Sequence, residues 1–220
     1  MDITYDTIIK YLCGSSNITS DFPTKINLMK YSKCFNKKFQ SIFGNNFFRY
    51  GVMVYNNEYD NISFWSSILY LLDDKFILLD KSEQLTHIKK FKTQILDNFS
   101  KDFKQFELKK KFSVHYTKEK LNSSIIEPIT LEFLCLVLKI NMLIFNFENN
   151  NIYCLNQGSF FNPWLPTILL ASYKDYWEPI CNDTSKTFCF NDNCIKKTLN
   201  EKIQYYNSEY LEKDLTIVDH

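Results

Sequence analysis

The segment that most constrains this chain runs from Ile129 to Phe147, a near-apolar stretch broken by Glu132, Lys139 and Asn141. It is too short and too interrupted for the hydrocarbon core of a bilayer, which asks for about 20 consecutive apolar residues, so no membrane span is expected. It is also too apolar to face water on more than one side, so it belongs in a core. Leu131 to Lys139 reads as a buried helix. Beyond Asn141, Met142-Leu143-Ile144-Phe145 reads as a strand, Asn149-Asn150-Asn151 as a turn and Ile152-Tyr153-Cys154-Leu155 as the returning strand.

A buried helix and hairpin need covering layers, and the chain supplies them. Phe64, Trp65, Ile68, Leu69 and Leu72 form a helical stripe wide enough to be buried. From Leu85 onward, Ile88, Ile95, Phe99, Phe103 and Phe106 recur at helical spacing among lysines, which predicts an amphipathic surface helix or a pair of them. Thr167 to Ser172 and Tyr176 to Ile180 flank Tyr173-Lys174-Asp175 as a second hairpin. Two helices, Tyr5 to Leu12 and Leu28 to Phe43, are separated by Gly14-Ser15-Ser16-Asn17 and a Pro23 turn, and the polar tail from Asp183 carries a helix over Lys196 to Tyr210. The expected class is therefore α/β (α+β), with a small, mostly antiparallel central sheet flanked by helices. One compact domain is expected, made of a helical cap (1–50), a core (51–182) and a helical tail (183–220).

An aromatic content of 17% excludes a disordered chain. The single alanine (Ala171), four glycines and abundant Asn, Lys, Ile, Phe and Tyr read as the codon bias of an A/T-rich genome. Lysine and arginine total 26 against 25 acids, and Arg49 is the only arginine, so the chain lacks the basic field and guanidinium forks of nucleic-acid binding. Seven cysteines, an odd number, and no leader-like N-terminal pattern predict reduced thiols and a cytoplasmic setting. Cys181, Cys189 and Cys194, with Asp183 or Asp192, do not have zinc-knuckle spacing, and no metal or other cofactor is expected. Cys13 and Cys34 fall in the two N-terminal helices as small hydrophobes.

Three segments, in this order, resemble the ovarian-tumour (OTU) family of deubiquitinating cysteine proteases. Asp60-Asn61-Ile62-Ser63-Phe64-Trp65-Ser66-Ser67-Ile68 resembles the family's Asp-Gly-Asn-Cys-Leu-Phe-Arg-Ala-Ile, where the cysteine opens a buried helix; Ser63 falls on that cysteine. Ile129 to Ile144 resembles its Glu-containing helix leading into a central strand. Pro166 to Leu170 followed by Tyr176-Trp177-Glu178-Pro179-Ile180 resembles its final hairpin, with Tyr176 on the histidine and Glu178 on the acidic orienter. The similarity covers about Met53 to Ile180 and implies a papain-related fold.

The chemistry of that family needs a thiolate to attack the isopeptide carbonyl and a histidine to lower the thiol's pKa and protonate the leaving amine. Serine has no accessible anion near neutral pH without a strong base, and a tyrosine, with an ordinary pKa of about 10, stays protonated. Of the other bases, His87, His115 and His220, none lies in the final hairpin. The resemblance therefore implies a pseudoenzyme, with Asp60, Ser63, Tyr176 and Glu178 as degenerate catalytic positions. Two partner classes follow: ubiquitin, bound across Asn61, Trp164 and Trp177, or the assembly proteins of a large DNA virus particle, in the host cytoplasm or virion. An active hydrolase is implied only if Ser63 replaces a natural cysteine or finds another base. Phe64 and Trp65 read as core, Trp164 beside Pro163 and Leu165 as a partner-contact aromatic, and Glu132 as a loop-orienting or helix-surface residue.

Overall fold

A computed structural model describes residues 30–32, 35–52, 61–105, 114–155 and 161–205. Strand β1 (Lys30–Ser32) precedes helix α1 (Lys37–Phe43) and strand β2 (Phe47–Tyr50). Helix α2 (Ile62–Leu72) passes through a 3-10 turn (Phe76–Leu78) into α3 (Lys81–Gln105), followed by α4 (Val114–Leu121) and α5 (Pro128–Leu138). The hairpin β3 (Asn141–Asn146) and β4 (Asn151–Leu155) comes next, then β5 (Thr167–Tyr173), β6 (Tyr176–Asn182), α6 (Asn193–Leu199) and β7 (Ile203–Tyr205).

The strands form one seven-stranded sheet in the order β1-β2-β6-β5-β3-β4-β7. Only β3 with β5 and β4 with β7 run parallel; the other pairings are antiparallel, as expected. Side chains alternate across the pleat, and both faces are buried. Phe48, Met142, Ile144, Ile168, Leu170 and Trp177 face a layer of α2 to α5. Phe47, Leu143, Phe145, Leu169, Tyr176 and Ile180 face α1 and α6. The result is three layers with the sheet in the middle.

Two expectations give way. The helix expected over Leu28 to Phe43 starts only at its cap, Asn36, whose side-chain oxygen accepts from Phe39 N at 2.9 Å, while Lys30–Ser32 pairs with β2 instead. Residues 30–32 and 35–50 thus belong to the sheet and its lower layer, not to a helical cap. In the tail, the helix covers Asn193–Leu199 and stops at Asn200; Ile203–Tyr205 then extends the sheet beside β4. Tyr5 to Leu12, Cys13, Cys34, Met53 to Tyr55, Phe106 and residues 206–210 of the expected tail helix lie outside the described residues. The lysine-rich segment is one 25-residue helix, α3, with Ile88 and Ile95 buried. Among the described residues no helix is long and apolar enough to cross a membrane.

Candidate functional site

The N-terminus of α2 meets the β5–β6 hairpin where the sheet opens. The β2–β6 ladder pairs Phe47–Arg49 with Ile180–Asn182, so the first residues of β6 extend past it. Asn61 anchors the helix there. Its side-chain oxygen accepts from Phe64 N at 3.1 Å, capping α2, and its amide nitrogen donates to the Asp175 carbonyl at the hairpin tip at 2.7 Å. Ser63 completes the bracket: its hydroxyl donates to Asn61 Oδ1 at 2.9 Å and accepts from Trp177 N at 3.1 Å.

The Ser63 side chain is fully buried, and the acceptor of its proton is an amide oxygen, which is no base. Among the described residues, the histidines lie elsewhere. His87 pairs with Asp73 at 3.0 Å, at the opposite end of α2, and His115 is exposed on α4. His220 and Asp60 are outside the described residues.

On the other face of the same strand, Tyr176 and Glu178 project into the α1/α6 layer. The two lie on one face, two residues apart, with Tyr176 Oη donating to Glu178 Oε1 at 3.2 Å. The Tyr176 hydroxyl also lies 3.4 Å from the Val52 carbonyl. Glu178 is engaged by Arg49, with Nη1 to Oε2 at 2.5 Å and both side chains fully buried. The guanidinium also stands over the Phe147 ring at 5.2 Å. Arg49 is the member of this cluster that the sequence alone leaves unplaced. The signal was present: a lone arginine inside Phe47-Phe48-Arg49-Tyr50 must meet an acid if that segment is buried.

The expected binding residues do not share one surface. Asn61 and Trp177 are only 1% and 6% exposed, so neither presents a side chain to a partner; one caps a helix and the other packs edge-on against Phe64 at 5.2 Å. Trp164 is 91% exposed but precedes β5, whereas Asn61 touches the hairpin that follows it, so seven strand residues separate them. Phe64 and Trp65 are core, as expected, and Glu132 is buried, so it is no surface residue of its helix.

Burial pushes the Cys154 and Cys194 thiols up to about 12, and Cys135 well above the ordinary thiol range, which disfavours the thiolate at all three. Cys181 is buried against Tyr70 and Cys189 is exposed. Among the described residues no cluster of His, Cys, Asp and Glu could hold a metal ion.

No family model and no curated protein matches this sequence. Among solved structures the chain is similar to an ovarian-tumour (OTU) domain in complex with ubiquitin, at 11% identity over 79% of this chain and 88% of that chain, with a TM-score of 0.45.

Proposed function

We propose that this chain is a non-catalytic OTU-like domain that acts as a binding or scaffolding module. The observation that carries the reading is the state of Ser63, buried and bonded between the Asn61 amide oxygen and the Trp177 amide. A hydroxyl held this way reinforces the joint between α2 and the β5–β6 hairpin, and a substrate carbonyl would have to displace both bonds to reach it. Glu178 supports the same reading, because its carboxylate neutralises Arg49.

Two partner classes fit a silent domain: ubiquitin, or the components of an assembly such as a large DNA virus particle. The buried state of Asn61 and Trp177 favours the assembly reading, since neither side chain is presented to a ubiquitin tail. The test has two arms. Incubation with a panel of ubiquitin conjugates is expected to give no cleavage; turnover that Ser63→Ala abolishes would overturn the non-catalytic reading. Titration with ubiquitin to millimolar concentration separates the partners. Saturable binding selects ubiquitin, and its absence selects assembly.

A further inference from the structure

The C-terminal end of α2 carries a cavity that the Ser63 site does not use. It lies about two turns along the helix from Ser63. Its volume is about 780 Å³, within the range of small-molecule sites. The wall is built on Tyr70 of α2 and Tyr50 at the end of β2, whose ring centroids are 4.5 Å apart at a tilt of 41°. The Tyr70 hydroxyl hydrogen-bonds with Tyr50 and with Cys181 of β6, so the ring is fixed from two neighbouring strands. Leu72 and Ile77 add apolar wall.

An ammonium already occupies the face of Tyr70. Lys186 Nζ stands 4.9 Å from the ring centroid and donates to Asp74 Oδ1 at 2.8 Å. An aromatic face and a carboxylate around one cation are the components by which proteins recognise organic ammonium groups. Among the described residues this is the shortest contact of a cation with a ring, and none of the other four rings so covered lies on the cavity wall. The wall carries two carboxylates, Asp74 and Asp183, against the single ammonium of Lys186, so its charge favours a cation.

The resident lysine is held lightly. Asp74 stands in water, and an ion pair with one exposed member restrains the other weakly. The backbone on either side of Lys186 is anchored independently, with Ser185 N donating to Asn182 Oδ1 at 2.6 Å and Phe188 N to the Thr167 carbonyl at 2.9 Å. The side chain therefore swings out on its flexible four-carbon stem while the walls stay in place. An N-alkylated ammonium gains more from the same place than a primary one does. Its charge gives up less hydration, and its alkyl groups meet Tyr70, Leu72 and Ile77.

We propose that this cavity binds a small alkylated ammonium ion on the Tyr70 face, and that Lys186 is a built-in occupant which the ligand displaces. The cavity is separate from Ser63, so this inference stands apart from the non-catalytic reading.

Calorimetric titration of the full chain with hexyltrimethylammonium bromide, against sodium bromide at equal ionic strength, tests it. Lys186→Met removes the competing ammonium and keeps an apolar stem, and it should bind the probe about 3–10-fold more tightly than wild type. Adding Asp74→Asn to Lys186→Met takes away the countercharge without reviving the competitor, and should weaken binding about 2–5-fold. The Lys186 and Asp74 side chains are 26% and 94% exposed, so both changes spare the fold. A Lys186→Met protein that shows no saturable binding by about 50 mM probe, or binds no more tightly than wild type, overturns the proposal. An affinity undiminished in the double variant places the ion elsewhere and overturns it as well.

Discussion

Replacing Glu178 by glutamine would keep the shape of the side chain and leave the Arg49 guanidinium buried without its countercharge. Removing one member of a buried ion pair costs about 3–5 kcal/mol, because the survivor keeps its desolvation penalty. Both side chains are fully buried, so solvent screening offers no discount. At a urea slope of ~2.5 kcal/mol/M, the midpoint should fall by about 1–2 M with the slope unchanged. Arg49→Met should cost a similar amount, part of it from the lost contact with the Phe147 ring. The double variant Arg49→Met/Glu178→Leu removes both charges and fills the space with apolar atoms. It should lie within about 2 kcal/mol of wild type, far above the sum of the single losses. The assay is equilibrium urea unfolding of the four proteins followed by far-UV circular dichroism. Single variants within 1 kcal/mol of wild type, or a double loss equal to the sum of the singles, would refute the account of Glu178 as a structural countercharge.

Asn61→Ala removes the α2 cap and the bonds to the Asp175 carbonyl and the Ser63 hydroxyl, so it should cost about 2–4 kcal/mol, measured by the same unfolding curves; a loss below 1 kcal/mol would mean the bracket is dispensable. Lys139, exposed at the end of α5, is held at φ 53° and ψ 55°, so Lys139→Gly should stabilise by about 1 kcal/mol and raise Tm by about 2–4 °C, read by calorimetry. Alkylation at pH 8 followed by peptide mapping should label exposed Cys189 while Cys135, Cys154 and Cys194, with thiols raised by burial and so carrying little thiolate, react only on unfolding. Equal labelling of Cys154 and Cys189 in the folded protein would contradict that burial.

The elements most legible in the sequence were those whose periodicity is local. The stripe from Phe64 to Leu72 became α2, and the runs after Asn141 and Thr167 became β3 and β5. Lys30–Ser32 was not legible, because a three-residue edge strand is defined by its partner β2 and carries no period of its own. The same holds for Ile203–Tyr205, whose pairing with β4 overrode a helical continuation. At the site, sequence order brought Ser63 to the final hairpin, as the Trp177 amide bond shows. It could not show that Trp164 and Asn61 stand at opposite ends of β5, because ladder register sets which side chains meet. Nor could it pair Arg49 with Glu178, a contact that exists only once β2 lies beside β6.

That strand adjacency also sets a timetable for synthesis. Arg49 and Glu178 are 129 residues apart, and at about 5–20 residues per second the arginine waits roughly 6–26 s for its partner to be made. Until β6 arrives, β2 has no neighbour on its inner side and the sheet remains split into an early β1–β2 pair and a late half. The nascent chain therefore spends that interval with the inner edge of β2 unpaired, the kind of exposed edge that chaperones shield and that crowding on a polysome offers to wrong partners.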